Sequence, residues 1–530
     1  MKWVLLVLVA CAAPARAPSG MQPDSRTAPP DTAGQGPDAA VARPDSFRDQ
    51  VLYLVIPDRF RDGDMSNDTT CFDRARPKMR HGGDLDGLRA HLDYVYGLGA
   101  TAVWITPPNR QIAPFTDACG YHGYWIDYSD PTDDDPIDPS LGGSGALDAL
   151  VTELHARGMK LVLDMVVNHT GDTARLPHQH PSWFHDPQTC ATLGPSQIFC
   201  PLDHHPDFAQ EQPDVAAYLS TFEASVTARY QIDGIRMDTA KHVLPAYFHD
   251  SFFPAVRAAH PGIFAVGEIF DESSLAAAVP YLDAGFTSVF HFPLRRALVD
   301  AVAHGGSIDL VASAVADGIA RAGADRALDL VLFIDNHDVK RFANEPGLGV
   351  SEDEIRRRVM LALDLIFTLP GIPQLYYGDE LGMYGNGDPD NRHDLPAWAE
   401  DATARAQPHA GEAVAGSELI YARVQRLAQL RTTTPALIDG AYRELWRQNG
   451  ATHPNVFAFS RGTGAGARIV VVNNGAARSG TIHIPVHDVA DGTTLVDDLG
   501  DGAPATTIVA GGALVIDLPA KSAAIYRAGA

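Results

Sequence analysis

From Val51 onward, short apolar runs alternate with longer stretches in which apolar residues recur every three or four positions. The short runs are Val51–Pro57, Thr101–Thr106, Lys160–Asn168, Ile232–Asp238, Ile263–Glu268, Thr287–Phe292, Asp329–Asp335 and Ile372–Tyr377. Between them lie amphipathic stretches such as Leu85–Leu98, Leu147–Arg157, Val215–Tyr230 and Glu354–Phe367. Strands that are apolar on both faces need a layer on each side. Eight of them alternating with helices predict an α/β fold, a closed parallel (β/α)8 TIM barrel. A doubly wound open sheet is the alternative. The connection from Thr170 to Pro213, after the third run, is long and rich in His, Pro and Asp, which marks a functional loop subdomain. After the helical stretch Leu419–Leu430 the texture changes. Val456–Ser460, Arg468–Asn473, Thr481–Val486, Leu514–Leu518 and Ala523–Tyr526 are short β-type runs separated by Gly, Asn and Asp, and predict a C-terminal antiparallel β domain.

This divides the chain into a barrel over 46–436, with 170–213 inserted, and a β domain over 437–530. The first 45 residues read differently. Lys2 followed by the apolar run Trp3–Ala10 is too short to span a bilayer and reads as an export signal ending near residue 17. Two processing sites remain open. Leu8-Val9-Ala10-Cys11 resembles a bacterial lipobox, in which lipidation of Cys11 would anchor the protein to a membrane. Ala15-Arg16-Ala17 fits ordinary signal cleavage. Residues 18–45 are rich in Pro, Ala, Asp and Gly and are expected to form a flexible linker.

The 530 residues carry a formal net charge of −25, which argues against a nucleic-acid partner. A monomer is expected. Of five cysteines, Cys71, Cys119, Cys190 and Cys200 remain if Cys11 is lipidated or removed. An even number in an exported chain predicts disulfides. Cys190 and Cys200 would close a short loop, which leaves Cys71 for Cys119, and no C-x-x-C pair offers a zinc site.

Candidate chemistry sits where charge ends an apolar strand, because a buried charge is costly unless paired or used. In Asp233–Asp238, strand alternation puts Gly234, Arg236 and Asp238 on one face. A guanidinium beside a carboxylate keeps it ionised, as a nucleophile requires. Glu268 ends the fifth run, and a lone acid there can protonate a leaving group if its pKa is raised. The third and seventh runs end in Asn168-His169 and Asp335-Asn336-His337-Asp338. Taken singly, each is equally readable as a structural ion pair, a cap or a loop anchor.

Together and in this order, DMVVNH (Asp164–His169), GIRMDTAKH (Gly234–His242), GEIF (Gly267–Phe270) and FIDNHD (Phe333–Asp338) resemble the four signature regions of the α-amylase superfamily, glycoside hydrolase family 13. The resemblance runs from about Asp49 to the C-terminus. It implies a retaining glycosidase acting on an α-glucan of the starch type, with Asp238 as nucleophile, Glu268 as general acid/base and Asp338 holding sugar hydroxyls. It further implies that Arg236 keeps Asp238 charged, that His169 and His337 bond the sugar at the cleavage point, and that Lys241 and His242 face the leaving group. The segment Tyr121–Trp125 resembles the family's stacking platform, with His122, Tyr124 and Trp125 as sugar contacts. Asp388 to Arg392 resembles a loop binding glucose further along the groove, through Asp388 and Arg392.

The resemblance also implies Ca2+. One ion would be held by Asn168, Asp203 and the carbonyl of His242. A second would sit in the loop Asp62, Asp64, Asn67, Asp68 with Gly82 and Asp84, where oxygen side chains around a glycine can wrap a hard cation; an acidic solvated turn is the plain alternative. VLYLVIPDRFRDGD, HGGDLDGL, YHGYW and DPDNR resemble both bacterial α-amylases and cyclodextrin glucanotransferases. A single C-terminal β domain, and His81 where the transferases place a cysteine, favour hydrolysis. Phe199, near the position of the transferases' central aromatic, favours transfer. A non-catalytic glucan-binding surface protein is disfavoured because all three acids are present. A metal-dependent hydrolase would lose its chemistry at once on chelation.

Overall fold

The computed structural model describes residues 46–68, 71–128, 135–447 and 455–529. The expected signal, Cys11 and the linker lie outside the described residues. Eight parallel strands form one sheet: β1 (Leu52–Val55), β2 (Ala102–Ile105), β3 (Lys160–Val166), β4 (Gly234–Asp238), β5 (Phe264–Gly267), β6 (Ser288–Val289), β7 (Val331–Leu332) and β8 (Ile372–Tyr376). Their order is β6-β5-β4-β3-β2-β1-β8-β7. A parallel bridge between Phe290 and Val331 joins the two ends, so the sheet closes into the expected barrel. β1 to β5 are buried along nearly their whole length, as a sheet covered on both sides requires.

The observed boundaries differ from the expected ones for local reasons. The first strand stops at Val55 because Pro57 opens a helical turn. The sixth run pairs over two residues only, because Phe292 and Pro293 begin the helix Phe292–Leu298. The amphipathic stretch 85–98 is two helices, Leu85–Ala90 and Leu92–Leu98, which meet at His91 (φ −110°). The connection after β3 is more ordered than its composition implies. It holds the short helices Leu176–Gln179 and Ser196–Phe199 and the Cys190–Cys200 disulfide. Backbone bridges join His169 to Asp207 and Phe184 to Phe208. Cys71 and Cys119 link the loops after β1 and β2. Both favoured cysteine pairings are present.

The C-terminal region is antiparallel, with β9 (Tyr442–Arg447), β10 (Val456–Arg461), β11 (Arg468–Asn473), β13 (Thr494–Asp497), β14 (Thr506–Ile508) and β16 (Ser522–Ala528) in one sheet. β12 (Ile482–Pro485) and β15 (Ala513–Ile516) form a second. Alternation gives β10, β11 and β16 two buried faces. Phe457, Phe459, Val470, Val472, Ala523 and Ile525 join the barrel core. Val456, Ala458, Ile469, Val471, Ala524 and Tyr526 pack with Ile482, Ile484, Leu514 and Ile516 between the sheets. No helix among the described residues is long and apolar enough to cross a membrane.

Candidate active site

The strand ends meet at one guanidinium. Register pairs Asp164 of β3 with Arg236 of β4, and Val166 with Asp238. Arg236 is 1% exposed, and its Nη1 donates to Asp164 Oδ1 at 2.9 Å and to Asp238 Oδ1 at 2.6 Å. Its Nη2 lies 3.2 Å from Glu268 Oε2. The next residue, Thr239, sits in the left-handed region (φ 46°) and turns both its donors inward. Its N–H donates to Glu268 Oε2 (2.8 Å) and its hydroxyl to Asp238 Oδ2 (3.0 Å). Asp238 and Glu268 are therefore tied to the same two residues.

Arg236 does not line the cleft; it holds the floor from beneath. Asp164 anchors it in turn, accepting from Trp104 Nε1 (3.1 Å) and Tyr124 Oη (2.8 Å). His337, wholly buried, stacks on Tyr124 at 5.3 Å and meets its hydroxyl through Nε2 at 2.7 Å. The same Nε2 is 3.3 Å from Asp338 Oδ2. Arg392 donates through Nη2 to Asp338 Oδ1 (3.3 Å), pairs through Nη1 with Asp388 (3.1 Å), and fastens the chain by donating Nε–H to His337 O (2.9 Å).

A cleft of about 460 Å³ opens over these groups. His122, Tyr124, Trp125, His169, Asp238, Lys241, His242, Glu268, Asp338, Asp388 and Arg392 all line it. Of the residues singled out as catalytic or sugar-contacting, only Arg236 and His337 stand behind the surface. Lys241 Nζ donates to Phe270 O (2.6 Å), and His242 Nδ1 faces Gln197 O (2.8 Å), which joins the fourth loop to the inserted one. Phe270, Leu202, Asp203, His205 and Thr239 complete the lining. Phe199 is not among the lining residues; its ring meets His185, and Gly194 lies against it.

Four carboxyl groups, Asp164, Asp238, Glu268 and Asp338, share two guanidinium charges. Burial pushes Glu268 up, and the charges of Asp238 and Asp338 outweigh part of what Arg236 supplies, so that it titrates at about 8. Burial also raises Asp238, with Arg236 opposing. Asp338 is pushed up by burial, but the ring of His337 and the guanidinium groups of Arg392 and Arg236 bring it below its ordinary value. Burial likewise raises Asp164 to about 7 against Arg236, but Asp164 lies beneath the cleft; of the acids that line it, Glu268 is the one held protonated at neutral pH. Burial takes His169 and His337 down to about 3, so both rings are neutral hydrogen-bonding groups.

The residues expected to hold calcium fit in part. Asn168 is 1% exposed, and its Oδ1 has no hydrogen-bond partner. Asp203, by contrast, is exposed and lies in the cleft, in a left-handed turn (φ 54°). Asp207 is the carboxylate bridged into Asn168's segment, where Phe208 N donates to Asn168 O (2.9 Å). Asp207 is paired with His185 (2.7 Å). In the loop after β1, Asp84 accepts from the backbone of Gly63, Asp64 and Gly87 and from Asn67 Nδ2. Asp62 Oδ1 and Asn67 Oδ1 are buried without donors, and Asp68 lies over Gly82, where a Cβ would meet its Oδ1 at 2.6 Å. Asp64 turns aside to Ser66, and Asp62 pairs with Arg74 at 3.0 Å. No cluster of three or more His, Cys, Asp or Glu side chains arranged for a metal occurs among the described residues.

A parallel barrel that sets a carboxylate, a proton-bearing acid and a third carboxylate around one cleft has the constellation of a carboxylate-based glycoside hydrolase. Comparison with known proteins gives the family. The profile described as "Alpha amylase, catalytic domain" matches residues 54–188 and 197–440. The chain belongs to the α-amylase family, glycoside hydrolase family 13. It is 28% identical to an α-amylase of Streptomyces lividans over 87% of its own length and 58% of that protein's. Among solved structures it resembles an Anoxybacillus α-amylase (TM-score 0.78, 27% identity, 92% of this chain and 99% of that one). It also resembles a cyclomaltodextrin glucanotransferase described as the first with a three-domain arrangement (TM-score 0.75, 25% identity, 91% and 99%). The chain spans 38% to 62% of the length of three curated relatives, amylases and a glucanotransferase.

The expectation that further β domains separate transferases from hydrolases is overturned by that three-domain transferase. Asp164, Trp104 and Thr239 were not singled out by sequence. Asp164 carried a usable signal, a charge inside an apolar strand with the parity that faces Arg236.

Proposed function

We propose that this protein is a retaining α-glycosidase of the α-amylase type, hydrolysing α-1,4-glucosidic bonds of starch-type glucans. The observation that carries the reading is the shared hold of Arg236 and Thr239 on Asp238 and Glu268. It supports a closely spaced pair, about 5 Å apart as in retaining enzymes, rather than the wider separation that admits a water between. Asp238 attacks the anomeric carbon while Glu268 gives its proton to the glycosidic oxygen, and the leaving chain departs as an alcohol. Glu268, now ionised, takes a proton from water; the hydroxide oxygen attacks the anomeric carbon and Asp238 leaves as carboxylate. Two inversions return the α-anomer.

Asp338 and Arg392 bond the sugar hydroxyls. Tyr124, with His122 and Trp125, offers aromatic faces to the sugar ring, and His169 bonds at the cleavage point. His337 acts from behind Tyr124 rather than at the surface. Lys241 and His242 serve the leaving-group side, and Asp388 with Arg392 the far end. This reading divides the chain into a barrel at 46–436 with its insert at 170–213, and a β domain at 437–530. Ca2+ would be held by Asn168 and the His242 carbonyl, with Asp203 or the bridged Asp207 as carboxylate, and by the loop of Asp62, Asn67, Asp68 and Asp84. The buried, partnerless oxygens of Asn168, Asp62 and Asn67 support both sites. There the ion would fasten loops and take no part in bond breaking. The two disulfides support export, with anchoring through Cys11 as the finer proposal.

Transglycosylation is the second reading, favoured by the glucanotransferase relatives. The placement of Phe199 away from the cleft favours hydrolysis. Incubation with soluble starch separates the two: linear maltooligosaccharides from the start are expected, and early cyclic dextrins or products longer than a short substrate would replace the hydrolase reading.

A further inference from the structure

We infer that the cleft between the barrel and the C-terminal sheets is a binding site for a phosphate group, either free or carried as a monoester on a small sugar. The cleft measures about 420 Å³ and shares no lining residue with the catalytic one. The helix Glu352–Thr368 contributes Arg356 and Arg357, the helix Ser417–Thr433 contributes Arg423 and Arg426, and the segment leading into β16 contributes Lys521. Five cationic residues and one carboxylate, Asp501, line this cleft in a chain whose net charge is −25.

Internal pairing does not neutralise them. Arg423 is matched, lying 3.2 Å from Asp364 and 2.8 Å from Asp501. Arg356 and Arg357 share the single carboxylate of Asp353. Arg426 donates Nε–H to the carbonyl of Asp498 (2.9 Å) and pairs with no carboxylate among the described residues. Lys521 is 5% exposed and likewise pairs with none; its ammonium donates to Asn474 O (2.5 Å) and Oδ1 (2.7 Å). Glu354 is the carboxylate that acts on it, and that side chain is ion-paired with Arg358 at 2.9 Å; a buried ammonium with no ion pair of its own is costly. Lys521 also holds a left-handed backbone (φ 49°) that a non-glycine residue adopts at a cost, so its place in the wall is over-determined by its surroundings. Burial and the neighbouring Arg358 push it down to about 8, with Glu354 opposing.

The chemistry of the walls selects the ligand. Guanidinium forks match the oxygens of a phosphate, and an ammonium adds a point charge. No aromatic ring lines the cleft, so a neutral glucan finds no stacking face. Met360, Leu419 and Leu499 give an apolar patch that covers the body of a small ester. A phosphate held here touches both barrel helices and the C-terminal segment, and so stabilises their junction.

The test is calorimetric titration and thermal melting of the full chain with inorganic phosphate, glucose 6-phosphate, glucose, and sodium chloride at matched ionic strength. Saturable binding and a raised Tm are expected for the phosphate probes only. A larger effect of glucose 6-phosphate identifies an ester as the ligand, and equal effects identify free phosphate. The double variant Arg357→Gln/Arg426→Gln changes two exposed side chains remote from the catalytic cleft. It should weaken binding at least about tenfold while leaving starch hydrolysis unchanged. No phosphate-specific response, or a response that survives in the double variant, overturns the proposal.

Discussion

Replacing Glu268 by Gln should make the protein more stable in alkaline solution while abolishing its activity. In the folded chain Glu268 is held up from 4.5 to about 8 by burial and by Asp238 and Asp338, against Arg236. Unfolded, it ionises near 4.5. Between these values the folded state binds a proton that the unfolded state has released, so stability falls as pH rises through that window. At 1.36 kcal/mol for each tenfold, the full displacement corresponds to about 5 kcal/mol. Because Asp238 and Asp338 retitrate along with Glu268, roughly half, about 2–3 kcal/mol, should survive as a measured difference. Glutamine keeps an oxygen to accept from Thr239 N–H and never ionises. Urea unfolding of wild type and Glu268→Gln, followed from about pH 5 to about pH 9, should give similar stabilities at the acid end and a growing advantage for the variant toward the alkaline end. Activity should fall about 10³-fold throughout. Parallel stability curves would refute the claim that Glu268 is the acid of the cleft held protonated.

Asp238→Asn should cost several powers of ten in kcat and leave the melting temperature within a few degrees of wild type, since Arg236 keeps Asp164 and Glu268 as partners. Melting in EDTA should lower Tm, and Asn168→Ala should abolish the part of that shift due to the ion at Asn168 while leaving the part due to the loop after β1; an unchanged Tm would remove calcium from both loops.

The architecture was legible because it rests on periodicity. Apolar runs buried on two faces mark a barrel strand whatever their partners. The short strands β13 and β14 escaped notice because they pair at a sheet edge and lie among Gly and Asp. The carboxyls that gather at the cleft could be located from their positions at strand ends and the pairing parity of Gly234, Arg236 and Asp238. What sequence did not convey was depth. Whether a side chain faces the cleft or supports it from behind is settled by packing between distant segments, so His337 and Arg236 lie beneath the surface while Thr239 comes up to it. The inserted loop was the hardest to place. Its register follows from the Asp207 bridge and the Cys190–Cys200 link, which carry Asp203 into the cleft and Phe199 against His185.

The central claim, a covalent intermediate on Asp238, is tested most directly by trapping it. The purified protein is incubated with a fluorinated α-glucosyl fluoride that forms the glycosyl-enzyme faster than water releases it, then digested and analysed by mass spectrometry. One sugar bonded to Asp238, with parallel loss of activity, is the predicted result. A label on another residue, or turnover that yields the β-anomer from starch with no label at all, would contradict it.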